Sequence, residues 1–247
     1  MSEVIAICGK GGVGKTTLSA LFARLILERK EIRALVIDAD PTGGLSLALA
    51  LPIKTTVNEL RKEVVAAAKS GKSDARNLAA AVDYRLMESL TEHHNIAFLA
   101  VGRPEEEGCF CQVNTFLRRS IEFLSEKFDL TLIDAEAGVE QVNRRVMANV
   151  DRLLLVSDLS FKGLRVAETV QRVASGSACF RQSGLVLNRV RSEEELSRAR
   201  ASTTLPLVGW LPEDETVYRF DTSGQSFLDL PECSSLQAAR PLLVARF

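Results

Sequence analysis

The segment GKGGVGKTT, Gly9 to Thr17, constrains this chain more than any other stretch. It satisfies G-x-x-x-x-G-K-[ST], directly follows the apolar run VIAIC (4–8), and opens the amphipathic stretch TTLSALFARLILERK. Strand, glycine loop and helix in that order make a phosphate-binding turn. Glycines let the backbone fold tightly and aim its N–H groups at an anion. The helix beginning near Lys15 adds the positive end of its dipole. Gly11, Gly12, Val13, Gly14, Lys15, Thr16 and Thr17 are therefore the expected phosphate contacts. Lys15 has the reach for β- and γ-phosphates, and the Thr16 hydroxyl is the expected Mg2+ ligand.

Further apolar runs follow at helix-length intervals: ALVID (34–38), NIAFLAV (95–101), LTLID (130–134), RLLLVS (152–157), GLVLN (184–188) and LVGWL (207–211). Several are apolar without alternation, as strands buried on both faces of a parallel sheet are. The pattern predicts an α/β fold, doubly wound, with a mainly parallel central sheet flanked by helices, in one domain over 1–247. The stretch 55–92 is rich in Ala, Lys and Glu and reads as helical and partly peripheral, with no strand. The C-terminal SSLQAARPLLVARF reads as a helix started by a Ser cap and interrupted near Pro241.

Composition excludes several classes. Lys plus Arg number 31 and Asp plus Glu 32, a net charge of −1, so no global field draws the chain to nucleic acid or an anionic membrane. No apolar run approaches the roughly 18 residues of a membrane span. The start, MSEVIAICGKGG, turns glycine-rich too soon for a secretory signal. Five cysteines, an odd and mostly scattered set, do not form a secreted disulfide framework. These features predict a cytoplasmic protein with mostly reduced thiols.

Two segments place carboxylates at strand ends: Asp38 and Asp40 in IDADPTGG (37–44), and Asp134 in LTLIDAEAG (130–138), with Gly138 behind it. One such carboxylate can merely cap the next helix. Carboxylates behind two strands, in a chain with this loop, point to a metal–nucleotide site. Lys10 is a second lysine inside the loop, ahead of Lys15. The form K-G-G-x-G-K-[ST] resembles the deviant Walker A ATPases, the class of MinD, the nitrogenase iron protein and the arsenite pump ATPase. The resemblance implies ATP/ADP with Mg2+ as cofactors and a homodimer held together by ATP. In it Lys10 reaches the partner's phosphates like an arginine finger. It further implies that Asp40, in a first switch, positions the attacking water, and that Asp38 helps hold Mg2+ through water. Asp134 becomes the Walker B carboxylate, and the Gly138 N–H senses the γ-phosphate. Asn188 and Arg189, ending GLVLN, match the adenine contacts, with the LPED stretch, Leu211 to Asp214, and in it Leu211 and Pro212, closing over the base. Relatives carry E-P-x-x-x-S after the strand at 152–157, whereas this chain has Asp158, Leu159, Ser160, Phe161, Lys162 and Gly163. That departure falls on the inter-subunit surface.

GCFCQVNTFLRRSI, Gly108 to Ile121, puts Cys109 and Cys111 just before a predicted long helix. With DAEAGVEQVNR and LNRVR (187–191), it resembles one branch of the class: the CooC-type ATPases that insert nickel into carbon monoxide dehydrogenase. Thiolates are soft ligands suited to Zn, Ni and Cu(I). Two ligands make a poor site, but two chains about a twofold axis supply four sulfurs, enough for Ni2+ or Zn2+ at the dimer interface. Metal and ATP would then favour the same dimer. The implied partner is a client nickel metalloenzyme of the carbon monoxide dehydrogenase or acetyl-CoA synthase type. The alternative is a MinD- or ParA-like positioning protein in which C-x-C is a structural dimer clasp. Cys8 reads as a buried small hydrophobe beside the loop, Cys179 and Cys233 as structural residues, and His93 and His94 as a polar surface turn.

Overall fold

A computed structural model describes residues 2–69, 75–103, 110–135, 150–176 and 180–244, without the side chains of 68–69, 75–80 and 110–114. Eight strands form one sheet in the order β3-β4-β2-β5-β1-β6-β7-β8. They are β1 (Glu3–Gly9), β2 (Ala34–Asp38), β3 (Thr91–His93), β4 (Ile96–Ala100), β5 (Leu130–Asp134), β6 (Val150–Ser157), β7 (Phe180–Val190) and β8 (Leu207–Pro212). All neighbours pair in parallel except β3, which pairs antiparallel with β4 at the edge. Every apolar run singled out in the sequence is a parallel strand.

Alternation along each strand divides the core into two layers. Ile5, Ile7 and Val36 face α1 (Lys15–Glu28), which contributes Leu18, Leu21, Phe22, Leu25 and Ile26. Ala6, Cys8, Leu35 and Ile37 face the other way. There they meet Val57 and Leu60 of α3 (Val57–Lys69), Leu86 of α4 (Ala75–Ser89), Leu117, Ile121 and Leu124 of α5 (Phe110–Ser125), and Leu164 of α6 (Phe161–Gly176). The central strands β2, β4 and β5 are buried at every position, which removes the period-2 signal from their sequences. The remaining helices are α2 (Gly44–Leu49), α7 (Glu193–Ala201), α8 (Glu215–Ser223) and α9 (Ser234–Val244). No described helix is long and apolar enough to cross a membrane.

Four sequence expectations change. The 55–92 stretch is helical as read, but Thr91 and Glu92 belong to β3, and His93 closes that strand instead of sitting in a turn. Only His94, at φ 52, is a turn residue. Three residues are too few to show alternation, and the pairing with β4 decides their conformation. α9 is not broken at Pro241 but runs through it. Its first turn is held by the Asp214 carboxylate, which accepts from Ser235 N–H at 2.8 Å and Ser234 Oγ at 2.7 Å, so the serines donate instead of capping. At its other end the Arg152 guanidinium of β6 donates to the carbonyls of Leu242 and Leu243 at 3.0 and 2.7 Å. Those bonds satisfy carbonyls that a helix end leaves unpaired.

Arg152 is 2% exposed, and its Nε lies 2.7 Å from Glu3 Oε1. Arg152→Met, which keeps the aliphatic volume, strands the two buried carbonyls and is expected to cost about 2–4 kcal/mol in urea unfolding. Glu3→Gln is expected to cost less than about 1 kcal/mol, because the residue is 41% exposed and the Gln amide oxygen still accepts from Arg152 Nε. Equal effects of the two substitutions would contradict this account of Arg152.

Candidate functional site

The parallel strands bring their C-terminal ends to one edge, and the candidate residues collect there. Gly9 ends β1 at φ 153, where a Cβ would lie 2.2 Å from the Val156 carbonyl oxygen. Gly14 is the N-cap of α1 at φ 96, where a Cβ would lie 2.0 Å from Asn188 Nδ2. Both positions need glycine for conformation and for space. Between them the chain turns so that Lys15, 7% exposed, directs its Nζ back to the Lys10 carbonyl at 3.3 Å. The ammonium is thus folded over the loop, at the N-terminus of α1.

Asp134 anchors the base of the site. It is 1% exposed at the end of β5, where Thr16 Oγ1 donates to Oδ2 at 2.8 Å and Ser19 Oγ to Oδ1 at 3.0 Å. Asp38 is its register partner on β2 and is wholly buried. Asp38 Oδ1 accepts from Asp40 N–H at 3.1 Å, and Oδ2 from Leu45 N–H at 2.9 Å and Ser46 N–H at 3.1 Å. The carboxylate expected to reach Mg2+ through water therefore also caps α2 and organises the loop after β2. In that loop Asp40 Oδ1 accepts from Thr42 N–H at 2.9 Å and Thr42 Oγ1 at 2.7 Å. Oδ2 of Asp40 has no bond among the described residues.

Two carboxylates crowded into low dielectric resist ionisation. Burial is the main cause in both. It lifts Asp38 to about 6 against the opposing N–H bonds from Ser46, Asp40 and Leu45. It lifts Asp134 to about 7, helped by the charge of Asp38 and opposed by Thr16, Ser19 and Lys15. A divalent cation would relieve this crowding. The hydroxyl of Thr16 and the carboxylate beneath it are hard oxygen donors that fit Mg2+. Cys8, beside them, is fully buried, and desolvation pushes its thiol up to about 12, so it acts as a small apolar residue.

A cleft of about 520 Å³ opens beside the loop. Thr17, Asn188, Arg189, Leu211 and Pro212 line it, so the structure brings the expected base contacts to one place. Asn188 also has a second task. Its Nδ2 donates to the Val13 carbonyl at 2.8 Å and its Oδ1 accepts from Arg189 N–H at 2.9 Å, with Arg189 at φ 61. It locks the phosphate loop to the end of β7.

Sequence reading missed three contributors, Ser19, Thr42 and Tyr218, and gave a fourth, Asp214, only as the end of the LPED stretch. Ser19 was legible as the residue one helical turn beyond Lys15 on the same face. Thr42 was legible as the Asx-turn partner of Asp40. Asp214 carried an N-cap signal before ETVYRF. Tyr218, on the cleft wall, had no sequence signal. Gly138 and Cys109 lie outside the described residues, as does Cys179. Cys111 is described in its backbone alone, as the second residue of α5. Among the described residues no group of three or more His, Cys, Asp or Glu is placed to hold a metal. Cys233 is half-buried and unpaired by disulfide.

A family model described as the CobQ/CobB/MinD/ParA nucleotide binding domain matches residues 4–227. An uncharacterized ATP-binding protein of Methanocaldococcus jannaschii is 33% identical over 235 residues, 93% of this chain and 92% of the relative. The carbon monoxide dehydrogenase accessory protein CooC of Rhodospirillum rubrum is 28% identical over 249 residues, 93% and 91% of the two chains. Among solved structures, MinD of Pyrococcus horikoshii complexed with Mg-ADP superposes with a TM-score of 0.70 at 22% identity, covering 98% of this chain and 95% of that one. At that identity the likeness speaks for the fold.

The raised carboxylates fix a pH dependence. An acid whose folded-state value exceeds the ordinary one stabilises the fold at low pH and loses that contribution as pH rises through the folded value. Nucleotide-free protein is therefore expected to lose stability between about pH 4 and pH 7. Asp134→Asn, which never ionises, is expected to flatten that slope and to raise the melting temperature at pH 8 while abolishing Mg2+-dependent hydrolysis. A melting temperature of the variant below that of the parent at pH 8 would contradict the burial argument.

Proposed function

Because the chain belongs to the CobQ/CobB/MinD/ParA family of nucleotide-binding domains and is an ATPase, we propose that it works as a homodimeric maturation ATPase. In this reading ATP-driven closure of two chains holds or releases a soft transition metal bound through Cys109 and Cys111. One observation carries it. Cys111 stands in the first turn of α5, the helix that follows β4, and so on the same sheet edge as Gly14, Asp40 and Asp134. A closure that brings two nucleotide edges together would bring two C-x-C motifs together as well. The similarity to CooC supports a nickel enzyme as client.

The chemistry follows from the edge. Lys15 neutralises β- and γ-phosphate charge, and the loop N–H groups cradle the phosphates. Thr16, with Asp134 behind it, would hold Mg2+, which would supply further neutralisation of the phosphate charge. Asp40, whose Oδ2 is unengaged among the described residues and whose loop is fixed by Asp38, orients the attacking water. Lys10 serves the partner's site and makes hydrolysis conditional on the dimer. The base lies in the cleft between Asn188 and Pro212. The metal, Ni2+ or Zn2+, is cargo shared by four sulfurs at the twofold axis.

Lys10→Ala and Asp40→Ala are each expected to abolish most hydrolysis. In a mixed dimer one site carries both defects and the other neither, so activity is expected to recover to about half per heterodimer. Heterodimers that form without recovery would sink the assignment of Lys10 to the partner's site.

Metal binding separates this function from a positioning switch with a structural clasp. Equilibrium dialysis is expected to give about one Ni2+ or Zn2+ per two chains, tightened by ATP. Cys109→Ser or Cys111→Ser is expected to weaken the metal strongly and leave ATP affinity unchanged. One tight metal per chain, retained by a monomer, would refute the shared site. A dimer undone by reductant but not by chelator would favour the clasp.

A further inference from the structure

The cleft beside the phosphate loop has a wall built from two helices, α8 and α9, that start at different points of the chain and converge on one side chain. Asp214 sits between β8 and α8 in extended conformation, φ −134 and ψ 115, as the N-cap of α8. Its Oδ1 accepts from Thr216 N–H at 2.9 Å and Val217 N–H at 3.3 Å. Its Oδ2 accepts from Ser234 Oγ at 2.7 Å and Ser235 N–H at 2.8 Å. Ser235, 3% exposed, in turn donates its hydroxyl to the Pro212 carbonyl at 3.2 Å. A closed ring results: the end of β8, the Asp214 carboxylate, the first turn of α9, and the end of β8 again.

We propose that Asp214 is a positioning residue of the base cleft, a clamp that fixes both helices of the wall without reading the base. The proposal rests on the cleft being the base site of the ATPase. Each carboxylate oxygen offers about two acceptor directions, and all four are taken by protein donors. No lone pair is left for the exocyclic amine of adenine. Two helix N-termini, each favouring an anion, meet on this one charge. The pKa of the group agrees: despite the opposing cost of burial, the donors led by Ser235 N–H hold it down at about 2. The wall it fixes is functional surface, since Val217, Tyr218 and Asp221 of α8 and Ser235 of α9 all line the cleft. Positions 217, 218 and 221 share one helical face, so a rotation of α8 about its axis moves all three together.

The clamp also reaches the phosphate loop. α9 packs against α1, whose N-terminus is the loop. Arg240 of α9 pairs with Glu28 at the far end of α1, and Arg24 Nε donates to the Leu230 carbonyl at 2.9 Å. Releasing the first turn of α9 therefore loosens a helix tied to α1 as well as the cleft wall.

Steady-state hydrolysis of ATP and ITP by the full-length protein tests this. Asp214→Ala is expected to raise KM for ATP about tenfold with kcat changed less than about threefold, the pattern of lost binding-site order with the reacting groups intact. KM for ITP, whose base has a carbonyl where adenine has its amine, is expected to rise by the same factor. A selective loss of ATP over ITP would overturn the proposal, because the carboxylate would then be reading the amine. A lowered melting temperature with unmoved KM would also overturn it, by reducing Asp214 to a stability role. Ser234→Ala removes one of the four bonds and covers the case in which Asp214→Ala fails to fold. It is expected to raise KM about threefold, and an unchanged KM would count against the clamp. Lys15→Ala separates the two layers of the reading. Turnover that survives this substitution would remove the ATP-site reading and the clamp with it, whereas Lys15-dependent turnover with an unmoved KM would remove the clamp alone.

Discussion

The buried carboxylate of Asp134, held by Thr16 and Ser19 at the end of β5, is the interaction on which the site depends. A charge in this position is costly in an apolar interior. Its neighbour on β2 is a second buried carboxylate, whose charge opposes the ionisation of Asp134. Lys15 is the nearby cation, and it is turned toward the carbonyl of Lys10. A magnesium–nucleotide complex supplies positive charge where the carboxylates need it and negative charge where the loop N–H groups and Lys15 need it. Relief of the carboxylate crowding on binding would add to the affinity for such a complex.

The same edge shows how side chains at strand ends do two jobs. Asp38 joins β2 to α2 by three N–H bonds and fixes the loop that carries Asp40. Asn188 joins β7 to the phosphate loop. Asp214 joins β8 to α8 and α9. Each is a short polar residue at the C-terminal end of a parallel strand, where the chain leaves the sheet and backbone donors need acceptors. These residues satisfy the backbone donors of the loops from within, and the ligand edge of the sheet is polar for that reason.

The strands and the phosphate loop were legible because their signals are local. A fully apolar run of five bounded by glycine or a carboxylate needs no tertiary information to be read as a buried strand. The loop motif fixes its own context, strand before and helix after. The short β3 was not legible, since its conformation comes from pairing with β4. The continuity of α9 through Pro241 was not legible either. Arg152 and Asp214 hold the two ends of that helix from 90 and 20 residues away, and neither distance leaves a trace in the local pattern. Among the site residues, Lys15, Thr16 and Asp134 could be named from spacing, but the double use of Asp38 and Asn188 could not. Which backbone donors a strand-end side chain meets is decided by how the next loop folds back.

These anchors also constrain how the molecule can respond to nucleotide. α9 is fixed at its first turn by Asp214 from the end of β8 and at its last turn by Arg152 from β6. A helix bonded to the sheet at both ends cannot tilt at one end without straining the other. It behaves as part of the sheet, and α1, packed against it and paired through Glu28 and Arg240, inherits that rigidity. α2 is shorter and has an exposed side. It has six residues and begins after Gly43 in a left-handed turn. Asp38 holds its start, Ser226 Oγ donates to the Leu49 carbonyl at 2.7 Å at its end, and Leu45 and Leu49 are buried while Leu47 is 75% exposed. The Asp40–Gly43 turn ahead of it has no such core contacts among the described residues, and Thr42 in it is exposed. Motion that follows the γ-phosphate is therefore expected in that turn, with the base cleft as the fixed frame against which it moves.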